Sequence, residues 1–252
     1  RENEPVRRRE RDRLLRYLSL HKMGSRSLTT QQGDTLNSIV ASFLVVWRRN
    51  GWIAKDFSGR AAWRFLHDDC GIASETTQQS YANKIKKSYP FHPELIEMFR
   101  QRWGSDSRFQ RTRGVLRLLA SIVQDLWKRR DSLVGSQALI HTSDVNLENL
   151  GSLTGTITNL MGSNWETVML ADVYGSSSNA RKIDDADPTS NIGQYHMTQG
   201  IATTLLMASV GAKQNKGLDI KHIKLCVLRP KAFNHNDVDG ALNKLEQVAH
   251  YL

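Results

Sequence analysis

Apolar residues recur three and four positions apart over much of this chain, the spacing that gathers them on one face of an α-helix. Leu36, Ile39, Val40, Phe43, Leu44 and Trp47 form the first such stripe, and Asn50-Gly51 supplies its stop. Residues 60–67 form a shorter helical pattern, and residues 71–80 read as a polar connector. In the stretch from Ser88 to Trp103, Pro93 suits a first helical position, where its missing N–H leaves nothing unpaired. Glu94 favours the same end through the helix dipole. Leu95, Ile96, Phe99 and Trp103 then share a face, and Gly104 ends the helix. A second helix is predicted from about Thr112, as N-cap, with Val115, Leu116, Leu119, Ile122, Val123 and Leu126 inward and Lys128-Arg129-Arg130 at its C-terminal end.

Beyond residue 131 the composition changes. Residues 132–190 are rich in Gly, Ser, Asn and Asp, which predicts loops with brief helices or strands. Helical spacing returns from about Thr198 to Gly211, again after Asp219 with Ile220, Ile223 and Val227 inward, and from Asn236-Asp237 with Val238, Ala241, Leu242, Leu245, Val248 and Leu252 on one side. Three short helices with a tight middle connection are the start of a winged-helix or helix-turn-helix unit, whose wing would lie beyond Leu252. The expected fold is mainly α. Its predicted parts are a basic helix and polar linker at 1–34, a helical domain at 35–131, a loop-rich connector at 132–190 and the winged-helix-like unit at 191–252.

Charge divides the chain more sharply than hydropathy does. Of 252 residues, 35 are Lys or Arg and 25 Asp or Glu, leaving +10. Residues 1–131 hold 26 of the cations and 14 of the anions, so attraction to a polyanion belongs to that part. The places for nucleic acid are Arg7, Arg8 and Arg9 in the opening charge run, Arg48 and Arg49, and Lys128, Arg129 and Arg130. The last helix carries Asp237, Asp239 and Glu246 against Lys244 on its polar positions, which points it toward protein contacts instead. The longest apolar stretches fall short of the roughly 18 residues of a membrane span, and no signal-peptide pattern opens the sequence. Cys70 and Cys226 stand apart without metal-ligand spacing, so no metal site is expected, and a reducing, cytoplasmic setting is the expectation. Arg60 and His67 show an Arg-x6-His spacing too short to carry a nuclease reading.

No GxxxxGK[ST] phosphate loop is present. The stretch from Gly211 to Gly217 has the wrong spacing and no strand before it. One cluster is nevertheless directed at phosphate: Arg108, Arg111, Arg113 and Arg117 crowd the predicted start of a helix, where guanidinium forks and exposed N–H groups both favour an anion. Cations at that end oppose the helix dipole, so a purely stabilising role is unexpected. A surface loop paired with Asp106 and Glu97 is the plainer reading of the same residues.

The stretches Ser88-Tyr89-Pro90-Phe91-His92-Pro93-Glu94-Leu95-Ile96 and Phe109-Gln110-Arg111-Thr112-Arg113-Gly114-Val115-Leu116-Arg117-Leu118-Leu119-Ala120 resemble the signature of a large AAA+-like ATPase family of formally unknown function, encoded in prokaryotic phage-defence gene clusters. Ser143-Asp144-Val145, the stretch from Asn179 to Asp184 and that from Ile223 to Pro230 also fit it. The resemblance implies a middle piece of a longer ATPase, with the P-loop and acidic motif upstream. Residues 91–130 would then correspond to the helical lid that closes over nucleotide, with Arg113 as the nucleotide-sensing arginine, Arg111 as its alternative and Arg117 facing a neighbouring subunit or carboxylate. ATP and Mg2+ are implied as cofactors by the resemblance alone, and an upstream ATPase half or sister subunit as partner. No complete active site is expected in this chain. The alternative reading is a non-enzymatic basic module that binds nucleic acid or protein.

Overall fold

The computed structural model describes residues 79–109, 111–134, 139–211, 217–229 and 232–249. The expectations for residues 1–34, the Leu36–Trp47 stripe, Arg7, Arg8, Arg9, Arg48, Arg49, Arg60 and His67 lie outside those residues. Among the described residues the fold is helical, and the one β-type pairing is an isolated parallel bridge between Phe91 and Ile140.

Helix α1 (Gln79–Ser88) buries Tyr81 and Ile85. Helix α2 (Pro93–Glu97) begins where Pro93 predicts, and its N-cap is His92, whose Nδ1 accepts the Glu94 N–H at 3.3 Å. The helix does not continue regularly to Trp103 as its spacing predicts. It widens into a π turn at Met98–Arg102 and tightens into a 3-10 turn at Trp103–Ser105. A wider turn brings Met98, which lies off the predicted stripe, into the core beside Phe99 and Trp103. Both aromatic pairs, Phe99–Trp103 and Trp103–Phe109, meet edge to face, with centroids 5.1 and 5.6 Å apart.

Helix α3 (Arg111–Arg129) buries Leu118, Leu119, Ile122 and Leu126. Val115, Leu116 and Val123, expected inward, are only half-buried, because the inner face is rotated to take in Leu118 and Asp125. Trp127 is half-buried.

Residues 132–190, expected as loops with brief elements, carry the eleven-residue helix α4 (Gly151–Met161), then α5 (Trp165–Val168) with a π turn at Met169–Val173, and α6 (Asn179–Ala186). Leu153, Ile157 and Leu160 are the buried stripe of α4, and a Cβ at Gly151 or Gly155 would meet nothing. Those glycines lie on the outside of a helix whose inner face is apolar, so they do not interrupt it.

Helix α8 (Met197–Ser209), which follows the short α7 (Asn191–Gln194), is central. Buried residues occur all around it, including Ile201, Ala202, Leu206, Met207 and Ala208, as in a helix enclosed by others. It packs against α6, α7, α9 (Ile220–Val227), α10 (His235–Val248) and the 3-10 turn Thr142–Asp144. Neither of its ends is closed by its own neighbours in sequence. The Asp184 carboxylate accepts the N–H groups of Thr198 and Gln199 at 2.9 and 3.0 Å. At the other end Trp103 Nε1 donates to the Met207 carbonyl at 2.9 Å and Arg102 to that of Ala208 at 2.5 Å. The chain leaves through Gly211, at φ +73°, where a Cβ would stand 2.3 Å from the Arg102 carbonyl oxygen. Helix α9 opens on Asp219, as its sequence predicts, and α10 starts at His235 on an Asn234–Asp237 capping box, one residue before the expected Asn236-Asp237.

Candidate functional site

The turn His141–Asp144 gathers buried polar groups. His141 and His92 are both buried and stack with ring centroids 4.6 Å apart. His141 Nδ1 donates to the Cys226 carbonyl at 3.1 Å. Burial, reinforced by the Arg229 cation, pushes the His141 pKa down from 6.5 to about 3, and burial first, then His141, pulls His92 well below its ordinary value. Both rings are therefore neutral. Cys226 is also buried, which pushes its thiol far above the ordinary range and leaves it unreactive.

Asp144 is the hub of the charges. Its Oδ2 accepts the His141 N–H at 2.7 Å, its Oδ1 pairs with the Arg229 guanidinium, and its carbonyl accepts from Arg129 at 2.8 Å. Arg129 also pairs with Asp125, a buried carboxylate one turn earlier on α3, at 2.7 Å, and Asn149 donates to the other Asp125 oxygen at 2.9 Å. A cavity of about 270 Å³ opens beside this hub. Arg129, Arg181 and Arg229 line it together with Ser143, Asp144, His196, Gln199 and Gly200. Helix α8 approaches closely there: a Cβ on Gly200 would come within 2.8 Å of Ser143 Cβ, so only glycine lets the helix lie against the turn. His196 sits in the left-handed region at φ 46°, and burial and then Arg181 depress its pKa. The lining thus presents three guanidinium groups and one carboxylate that is already bonded, an arrangement suited to an anion.

Among the described residues Arg129 is the one of the sequence-predicted set found in this lining, and its guanidinium is bonded to Asp125 and the Asp144 carbonyl. Lys128 is exposed. Arg111 and Arg113 stand in the first turn of α3, Arg117 is exposed one turn on, and Arg130 follows in a 3-10 turn. At 1.5 Å per residue, Arg113 and Arg129 are about 24 Å apart along the helix axis. The pairing with Asp106 is made by Arg108 of the cluster, and Glu97 pairs with Arg100 outside it. Arg108 bonds Asp106 at 2.7 Å and closes the end of α4 through the carbonyls of Asn159 and Leu160, while Arg100 bonds Glu97 at 3.0 Å. Asp144, Arg181 and Arg229 were not expected as site residues, although each lies within one of the three later stretches singled out in the sequence. Among the described residues no group of three or more His, Cys, Asp or Glu converges as a metal site, and no helix is long and apolar enough to cross a membrane.

The family model described as the DUF499 second domain matches residues 72–252, and the chain belongs to that family. No curated protein and no solved structure matches it.

Proposed function

We propose, with membership of the DUF499 family as the premise, that this chain is a lid-like helical module of an AAA+-like ATPase of the kind encoded in phage-defence gene clusters, and that it is not catalytic alone. The observation that carries this reading is the start of α3. The 19-residue helix begins at Arg111, so Arg111 and Arg113 occupy the turn whose N–H groups have no intrahelical acceptor, while Arg117 is exposed one turn on. Arginine charge at that end opposes the helix dipole and is offset when a phosphate lies against it. In this reading Arg113 presents its guanidinium to the phosphate of a nucleotide held by an upstream P-loop half. The DUF499 description of a second domain supports such completion.

The three helices α8, α9 and α10 support the winged-helix-like part of the reading, as a unit for protein contacts. Asp237 is committed to the α10 cap and Asp239 to Lys224 at 2.7 Å, which leaves Asn236, Asn243, Lys244, Glu246 and Gln247 exposed. A face with one Lys and one Glu offers a phosphate backbone little net attraction.

ATP turnover tests the proposal. The chain alone is expected to show none, and the chain joined to an upstream P-loop half is expected to turn over ATP. Arg113→Ala abolishes that turnover and leaves the helical circular dichroism unchanged, through loss of charge stabilisation on the transferring phosphoryl group. Turnover by the repurified chain alone, or an Arg113→Ala rate within a few-fold of the parent, overturns it.

A further inference from the structure

The cavity beside Asp144 contains donors that have no acceptor. Arg181 spends its Nε on Asp185, at 3.0 and 2.9 Å to the two oxygens, and its terminal nitrogens make no hydrogen bond among the described residues. Arg229 reaches Asp144 through one terminal nitrogen, yet its Nε is buried and unpartnered. Ser143 Oγ is also buried and unpartnered, and it lines the same cavity. Buried polar atoms are satisfied in most folds, and leaving one unmade costs more than a typical bond contributes. Two such atoms and a half-used guanidinium fork around one cavity therefore call for a missing acceptor.

The charge of that acceptor follows from the lining. Among the described residues that line it Asp144 is the one carboxylate, and both its oxygens are occupied by His141 N–H and Arg229. His196, with its pKa depressed, adds no charge. Arg129, Arg181 and Arg229 are each paired with a carboxylate, Asp125, Asp185 and Asp144, so the selection comes from the spare guanidinium N–H groups of Arg181 and Arg229, which only donate and bond an anionic acceptor more strongly than a neutral one. The three donor residues come from separate elements, the 3-10 turn, α6 and the segment after α9, and all three line the cavity. A phosphate monoester offers three terminal oxygens to such a set, whereas a carboxylate offers two in one plane. The volume of about 270 Å³ lies just under the usual range for small-molecule pockets and exceeds what a bare phosphate fills.

We propose that this cavity is a binding site for a phosphomonoester, a small organic molecule bearing one terminal phosphate, held by Arg181, Arg229 and Ser143. The site is independent of the lid reading, since it lies at the end of α3 opposite Arg113.

Isothermal titration of the full chain at fixed ionic strength, with inorganic phosphate and with ribose 5-phosphate as separate probes, tests the site. Both are expected to bind saturably, and ribose 5-phosphate more tightly, because its carbon skeleton fills space the free ion leaves. Arg181→Gln weakens both by about tenfold or more, the worth of a charge-assisted hydrogen bond. Ser143→Ala, a smaller change that carries the test if Arg181→Gln fails to fold, weakens both by a few-fold. Arg100→Gln, a surface change at the Glu97 pair, leaves both unchanged. The proposal is overturned if neither probe binds saturably to the parent, if Arg100→Gln weakens binding as much as the cavity variants do, or if inorganic phosphate binds as tightly as the ester.

Discussion

Replacing His141 with asparagine should change how stability depends on pH more than it changes the fold. Asparagine Nδ2 takes roughly the place of imidazole Nδ1, so the donor to the Cys226 carbonyl is kept while the titrating group is removed. In the native protein His141 takes up its proton only near pH 3, and in the unfolded chain near its ordinary 6.5. Between those values the unfolded chain holds a proton that the native state excludes. Stability is therefore present above pH 6.5 and falls as the pH drops through it, by about 1.4 kcal/mol per pH unit for this residue, and by about 5 kcal/mol at the full extent. His92 acts in the same direction, and Asp184, whose pKa burial raises to about 6, acts against both over the upper part of the window. The variant loses a ring stacked on His92 and should be about 2 kcal/mol less stable at pH 7. Because its own slope is shallower, that gap should close near roughly pH 5. Urea unfolding at half-unit pH steps from 7 to 5, extrapolated linearly to water, reads both quantities. A gap that stays constant across the range would refute the assignment of His141 as a neutral buried group.

Four further outcomes follow from the packing of α8 and its surroundings. Gly200→Ala places a Cβ 2.8 Å from Ser143 Cβ and should destabilise the fold by about 1–3 kcal/mol in urea unfolding; an unchanged midpoint would show that the helix and turn separate freely. Asp184→Ala leaves two N–H groups at the start of α8 without their acceptor and should cost about 2 kcal/mol. Carbon NMR of the parent should find the Asp184 carboxyl titrating near pH 6 instead of near 3.8, and an ordinary midpoint would remove the burial argument. Cys226 should resist a thiol-alkylating reagent at pH 8 in the native protein and react once urea is added, as followed by mass spectrometry.

Much of the helical framework was legible because its signals are local. Pro93, Asp219 and Asn236-Asp237 each mark a helix start by chemistry within a turn of it, and the structure begins α2 and α9 at the first two places and α10 one residue before the third, on an Asn234 cap the pattern missed. What local pattern missed depends on partners distant in sequence. The π turn at Met98 answers to core space around Trp103, and the rotation of α3 answers to a buried Asp125 bonded to Asn149. Helix α4 was obscured because its glycines suggested loops while its apolar stripe, Leu153, Ile157 and Leu160, is sparse. Arg129 was read as a solvent-facing cation, although Asp125 four residues earlier was already a signal for an inward pair. The cavity arginines lay within stretches singled out in the sequence, but only tertiary structure brings Ser143, Arg181 and Arg229 to one place.

The closure of α8 by remote groups has a consequence for folding order. Its first N–H groups wait for a carboxylate 14 and 15 residues upstream, and its last carbonyls wait for side chains 104 and 106 residues upstream. Loop-closure entropy must be overcome before either distant contact forms, so the most buried helix is completed late, when both ends of the described region have converged. During synthesis on the ribosome the segment through Arg102 and Trp103 emerges long before the carbonyls it will close. A proteolytic cut between residues 103 and 207 would leave those contacts in place but make them intermolecular, so a nicked chain, once unfolded, should regain the closed helix only in a concentration-dependent step.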